Sequence, residues 1–238
     1  MLFVHEVHRV AGRSDADFEA AYRDGWLPAL AHSDGARLLW FLHQAHGTGP
    51  AYTAVTITAV ASAGALAELQ ARMREGDLRS WAAEVDGLRH EAVAKVLEPV
   101  PWSPLTSVDL AGVPATAQER GPDLPLFMED TAWPHPGRRE AYLERAAALY
   151  VPTLERAAAA GHGLLELVAA FTPVFGAGRA SEVVLWQRVA RPDLLSPLLT
   201  REIPAAFAAP GTWMHDALEV RDRWESRLLR VAPWSPLA

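Results

Sequence analysis

Polar and apolar residues alternate from Phe3 to Val10, and a period of two predicts a β-strand. Ser14, with Asp17 three residues on, has the pattern of a helix N-cap, and Phe18, Tyr22, Trp26 and the Ala29–Leu30 pair then fall on one helical face. Arg37 to His46 and Ala51 to Val60 are β-rich runs joined at HGTGP, a hairpin-type turn cluster. Ser62 to Leu88 has helical periodicity with a break near Gly76–Asp77, and Glu91 to Glu98 returns to strand. The predicted order is βαββαβ.

The order then recurs: strand Leu124–Ala132, helix Arg138–Ala160, strands Gly163–Phe171 and Ser181–Ala190, a Pro-interrupted helical region to Leu218, and strand Trp224–Val231. PWSPL occurs at Pro101–Leu105 and again at Pro233–Leu237, and at the same offset Trp81 matches Trp213, Arg89 matches Arg221 and Leu97 matches Leu229. WLPAL at Trp26–Leu30 matches YVPTL at Tyr150–Leu154. The chain therefore reads as two copies, 1–105 and 123–238, joined by a polar Pro- and Gly-containing linker, 106–122. Right-handed crossovers put both helices of such a unit on one face of a four-stranded antiparallel sheet, leaving the other face bare. The expected fold is α+β: two tandem ferredoxin-like units whose sheets pack face to face as an intramolecular dimeric α/β barrel. Pro28 and Pro152 lie inside predicted helices, where each frees a carbonyl four residues earlier and predicts a kink at the same place in both copies.

Composition narrows the chemistry. The 238 residues are 50% apolar and 21% charged, with no cysteine and no asparagine, which excludes thiol nucleophiles, thiolate metal sites, disulfides and Asn-linked glycans. A net charge of -7 gives no footprint for nucleic acid or an anionic membrane. Charged residues and histidines interrupt every apolar run before the ~20 residues of a membrane span, and MLFVHEVHRV lacks a basic n-region and an apolar h-region, so a cytoplasmic location is expected.

The two endings, KVLEPVPWSPL and ESRLLRVAPWSPLA, and the Trp-Leu-Pro element at Trp26–Pro28 resemble the NIPSNAP family of the dimeric α/β-barrel superfamily. The resemblance covers nearly the whole chain twice and implies the ferredoxin-like fold, with the usual two-chain dimer replaced by an internal pair. Relatives in that superfamily span cofactor-independent monooxygenases, cyclases, isomerases and haem enzymes, so the fold does not select a reaction. Family members often carry an Arg in the first strand; at about that place this chain has His5 and Asp130, which puts an anion-binding role for that Arg in doubt.

Six histidines lie in the first copy and three in the second. Alternation places His5 on one face of the first strand and Glu6 and His8 on the other, without deciding which face lines a pocket. His5, His8 and His43 are the acid/base candidates, since an imidazole exchanges protons near neutral pH; the competing reading of each is a hydrogen-bonded core histidine. Trp40, Tyr52, Glu6 and His90 are the candidate ligand-binding residues. His-x-x-His on a strand sends the rings to opposite faces, so no metal site and no cofactor are expected. The GAGRAS string at Gly176 is a lone Gly-x-Gly in a loop and a weak nucleotide signal.

Most of the nine tryptophans read as core or tail-docking residues. The functional reading is an enzyme performing cofactor-independent cyclisation, isomerisation or related acid/base chemistry on an apolar or aromatic metabolite in the first copy; the alternative is a non-catalytic binding or interaction module. The partners it carries are a small-molecule substrate, no nucleic acid and no membrane, with self-association left open.

Overall fold

The computed structural model describes residues 1–176, 181–200, 202 and 205–238, so GAGRAS lies largely outside the described residues, as does part of the helical region before Leu218. The chain divides into two compact units. Unit 1 comprises Met1–Glu98, Ser107–Leu124 and Leu229–Ala238; unit 2 comprises Pro99–Thr106 and Pro125–Leu228. Each unit thus contains the PWSPL segment that ends the other repeat.

Unit 1 holds strands β1 (Leu2–Val10), β2 (Ala36–Gln44), β3 (Thr53–Val60) and β4 (Arg89–Pro99), hydrogen-bonded in the order β4-β1-β3-β2. Its helices are α1 (Asp15–Ala20), α2 (Leu27–Leu30), α3 (Ala63–Glu75) and α4 (Arg79–Gly87). Unit 2 repeats the plan with β5 (Leu126–Pro134), β6 (Leu165–Pro173), β7 (Val183–Val189) and β8 (Arg221–Val231), in the order β8-β5-β7-β6. Its helices are α5 (Arg139–Arg145), α6 (Val151–Ala159), α7 (Leu195–Thr200) and α8 (Trp213–Asp216). The last residues of β8, already part of unit 1, pair with β2: Val231 with Leu42, Arg230 with His43, Leu229 with Gln44.

The anticipated kinks take the form of widened turns. Ala21–Trp26 and Ala146–Tyr150 are π-helical, each ending just before the helix that carries Pro28 or Pro152. A proline can neither donate to the ladder nor tolerate the carbonyl behind it, so the backbone shifts to longer-range bonds, here Leu27 N–H to the Tyr22 carbonyl. Trp81 donates its indole N–H to the Ala21 carbonyl at 2.9 Å and stacks on Trp26 with 4.4 Å between centroids. Ser14 stands at the N-cap position of α1, but its side chain accepts no capping bond; the helix is entered instead through a 3₁₀ turn, Gly12–Ser14. Ser62 does cap α3, accepting from Ala65 N–H at 3.2 Å.

Phe18, Tyr22, Trp26, Leu27 and Leu30 pack on Leu38 and Phe41 of β2 to form the helix-side core of unit 1. Tyr142, Tyr150, Trp213 and Leu185 do the same in unit 2. Full burial of each large apolar side chain contributes about 1.5–3 kcal/mol.

The PWSPL repeat has a mechanical explanation. β2 and β6 each contain a register shift, between Leu38 and Trp40 and between Leu167 and Ala169, which breaks regular pairing at Leu39 and Val168. A tail fills each irregularity. In unit 1, Ser235 Oγ accepts from Phe41 N–H at 3.1 Å and Leu237 N–H donates to the Leu39 carbonyl at 3.0 Å. In unit 2, Ser103 Oγ accepts from Ala170 N–H at 2.9 Å and Leu105 N–H donates to the Val168 carbonyl at 3.1 Å. The serine of each motif therefore satisfies a buried backbone donor that the sheet leaves over. Removing its hydroxyl leaves that N–H unpaired, so Ser103→Ala and Ser235→Ala should each lower unfolding free energy by about 1–3 kcal/mol in denaturant titrations. A change below a few tenths of a kcal/mol in both would contradict this role.

Candidate functional site

The pleat of β1 sorts the candidates. Val4, Glu6, His8 and Val10 face the helices, while Phe3, His5 and Val7 face the opposite side of the sheet. His5 is fully buried there, paired in register with Ile57 and Lys95. His8, not His5, lies under α1 and the π-helical turn.

His8 is the centre of a connected polar group. Its Nδ1 lies 2.9 Å from Arg89 Nη1, and its Nε2 lies 3.1 Å from Thr56 Oγ1 and 3.3 Å from the Tyr22 hydroxyl. A guanidinium has donors only, so Nδ1 accepts and the neutral ring carries its proton on Nε2. Nε2–H then donates to Thr56, and the Thr56 hydroxyl hydrogen-bonds the Glu6 carboxyl, its register partner on β1. The direction of donation runs Arg89 to His8 to Thr56 to Glu6. Arg89 is itself tied to Asp86, with Nε and Nη2 both within 3.1 Å of one carboxylate oxygen.

Burial and charge set the protonation states. Burial, then the Arg89 charge and then His5, push His8 down to about 3, so its imidazole is neutral throughout the physiological range. Burial raises the Glu6 carboxyl above the ordinary carboxylate range, against the opposing pull of Arg89. Burial likewise raises the Tyr22 phenol well above 10. Glu6 as a whole residue is half-buried, and its β4 partner across the ladder, Ala94, is exposed.

The other predicted residues belong elsewhere. His43 and His8 share a face, on either side of Ala54, which puts about 10 Å between their strands. His43 Nε2 contacts Glu19 at 2.9 Å, and Trp234 Nε1 donates to the other Glu19 oxygen at 2.7 Å. These contacts hold Glu19 below the usual carboxylate range, the His43 hydrogen bond first. His43 also lines a concavity of about 470 Å³ at the β2–β3 turn with Tyr52, His46, Asp15 and Arg230. Tyr52 is exposed and adopts φ 54°, its carbonyl accepting from Val10 N–H at 2.9 Å. Trp40 donates its indole N–H to the Leu237 carbonyl at 2.8 Å and so anchors the tail. His90 is exposed at the start of β4. Among the described residues, no three or more His, Cys, Asp or Glu side chains gather closely enough to hold a metal ion.

Unit 2 carries a related group, where the sequence reading placed chemistry in the first copy. Leu126–Pro134 has the same burial pattern as Leu2–Val10, so the counterpart of Glu6 is Asp130 and that of His5 is Glu129, one position from the pairing of His5 with Asp130. Asp130 accepts from Gln187 Nε2 at 2.9 Å and from the Ser226 hydroxyl, and Gln187 in turn accepts from the Tyr150 hydroxyl. Burial raises Asp130 as it raises Glu6.

Sequence reading missed Thr56, Tyr22 and Arg89. Arg89 had a signal, its match to Arg221 across the repeat; Tyr22 looked like any other apolar-face aromatic, and Thr56 like any other strand threonine.

No family model matches this chain, and no curated protein matches it. Solved structures do. A putative monooxygenase from Lactobacillus acidophilus is 13% identical with a TM-score of 0.55 over 98% of this chain and 96% of its own. An anthrone oxidase-like protein is 9% identical with a TM-score of 0.57 over 97% of this chain and 91% of its own. A NIPSNAP domain protein from Burkholderia xenovorans is 16% identical and covers 43% of this chain and 97% of its own, at a TM-score of 0.36. The full-length likenesses establish the fold, α+β of the dimeric α/β-barrel class, and at these identities nothing more.

The His8 value has a consequence for stability. Its folded value lies below its unfolded one, so between about 3 and 6.5 the unfolded chain binds the extra proton and stability falls as pH falls. At pH 5 the cost from this one group relative to pH 7 is about 2 kcal/mol. His8→Gln should remove that component, so the loss of unfolding free energy between pH 7 and pH 5 should shrink by about that amount. An unchanged pH slope would show that His8 is not held neutral.

Proposed function

We propose that unit 1 acts as an acid/base catalyst on a small apolar or aromatic molecule, with Glu6 as the group that takes and returns a proton. The observation that carries this reading is the carboxyl of a half-buried glutamate, raised by burial, at the end of a donor chain whose other members hold fixed protonation states. A carboxylate whose affinity for protons is raised is a better base for a weakly acidic C–H bond than an ordinary one. His8 does not serve as the base in this scheme: its Nδ1 lone pair is taken by Arg89 and its basicity is low. Its one N–H is given to Thr56, through which it orients the carboxyl. The small, exposed Ala92 and Ala94 on β4 leave room for a flat apolar substrate. The repeated PWSPL endings support a tandem NIPSNAP-like origin for the two units.

Anthrone is a fitting probe, because its ring methylene is acidified by a carbonyl and one solved structure of this fold is described as anthrone oxidase-like. Glu6 would take a methylene proton, leaving the electron pair delocalised onto the carbonyl oxygen as an enolate, and in deuterated water would return a deuteron. The expected result is protein-dependent deuterium incorporation that rises with pH as Glu6 ionises, above the range of an ordinary glutamate, and falls on the order of 10²-fold in Glu6→Gln. No exchange above buffer, or equal exchange in Glu6→Gln, contradicts the proposal.

A further inference from the structure

Arg89 and Arg221 are counterparts. Each opens the last strand of its repeat, and the backbone beside them makes the same bond, Ala11 N–H to the Leu88 carbonyl in one unit and His135 N–H to the Val220 carbonyl in the other, both within 2.9 Å. Their surroundings differ at two places. Arg89 donates from Nε to Asp86 and from Nη1 to His8. At the positions matching these acceptors unit 2 has Leu218 and Ala132. Arg221 is only 5% exposed, and the two atoms that lack a hydrogen-bond partner among the described residues are the same two, Nε and Nη1.

Such a group is costly to keep. A buried guanidinium with unpaired donors loses hydration that no acceptor replaces. Aromatic rings cover much of it: its carbon lies 4.4 Å from the Trp224 ring centroid and 5.6 Å from that of Trp213, and it hydrogen-bonds the Tyr142 hydroxyl. Trp224 and Leu218 are exposed, whereas Arg221 Nε and Nη1 are themselves covered, so a ligand reaches them only by displacing neighbouring side chains. The Asp130 carboxyl is near enough for the Arg221 charge to lower its proton affinity, but its hydrogen bonds come from Gln187 and Ser226 and not from Nε or Nη1.

We propose that unit 2 binds a small aromatic carboxylate, whose anionic oxygens accept from Arg221 Nε and Nη1 and whose ring packs against Trp213 and Trp224. Trp224 faces the guanidinium at cation–π distance, which leaves acceptors to approach in the guanidinium plane, where a carboxylate bonds. The site is separate from Glu6 and does not depend on the reading of unit 1.

Benzoate tests it on the full chain, by calorimetric titration and tryptophan fluorescence. The expected result is saturable binding in the millimolar range or tighter at one site per chain, with tryptophan emission changing in step. Leu218→Asp, at an exposed position, restores an internal acceptor for Nε, and Ala132→His restores one for Nη1; each should weaken benzoate by at least about tenfold. Far-ultraviolet circular dichroism identifies which variants are folded. Absence of saturable benzoate binding overturns the proposal, as does unchanged affinity in a folded variant of either kind. Inorganic phosphate binding more tightly than benzoate overturns the choice of a carboxylate.

Discussion

A guanidinium can donate hydrogen bonds and cannot accept them, and the polar interior of unit 1 is ordered by that constraint. Because Arg89 reaches His8 Nδ1, the imidazole must accept there and present a proton at Nε2. Because Thr56 and Tyr22 are the groups within reach of Nε2, the donation passes on toward the carboxyl of Glu6. One pairing at the edge of β4 thus fixes a tautomer, a hydroxyl orientation and the direction in which the carboxyl is served. The same charge, together with burial, keeps His8 unprotonated. Without Arg89, either ring nitrogen could carry the proton, and no direction would be defined.

Duplication lets the same frame be used twice with different contents. The backbone devices are kept in both units: the π-helical turn before the proline, the irregularity in the second strand and the serine that repairs it. The polar contents have diverged. A carboxyl stays in place, as Glu6 or Asp130, and so does the arginine, but the imidazole and the aspartate that occupy Arg89 become Ala132 and Leu218 beside Arg221. Volume has been traded elsewhere: Trp40 pairs with Ile57 in one unit, whereas Ala169 pairs with Trp186 at the matching place in the other. Backbone satisfaction is needed by any protein with this fold; a particular side-chain acceptor is not.

The fold was legible because its determinants are local or repeated. Alternation located β1, periodicity located the helix after it, and PWSPL revealed the duplication. The two prolines pointed to an irregular helix, although whether the helix would bend or widen depends on which carbonyls neighbouring side chains capture, as Trp81 captures that of Ala21. The site was legible only in part. Glu6 and His8 were on one face by alternation, but which face lies under the helices is a property of the assembled sheet. Thr56 and Arg89 reach His8 from 48 and 81 residues away, and nothing at those positions marks them as neighbours. His43 and Tyr52 were grouped with them on residue type, and the sheet instead places them at the β2–β3 turn.

Nitrogen-15 NMR of histidine-labelled protein reads the state of the His8 ring directly. His8 should show a neutral imidazole protonated on Nε2 at pH 7 and keep that signature through the pH range in which free histidine titrates, losing the Nε2–H tautomer preference when Arg89 is replaced by Met. A His8 signal that titrates near 6.5, or one protonated on Nδ1 at neutral pH, would contradict it.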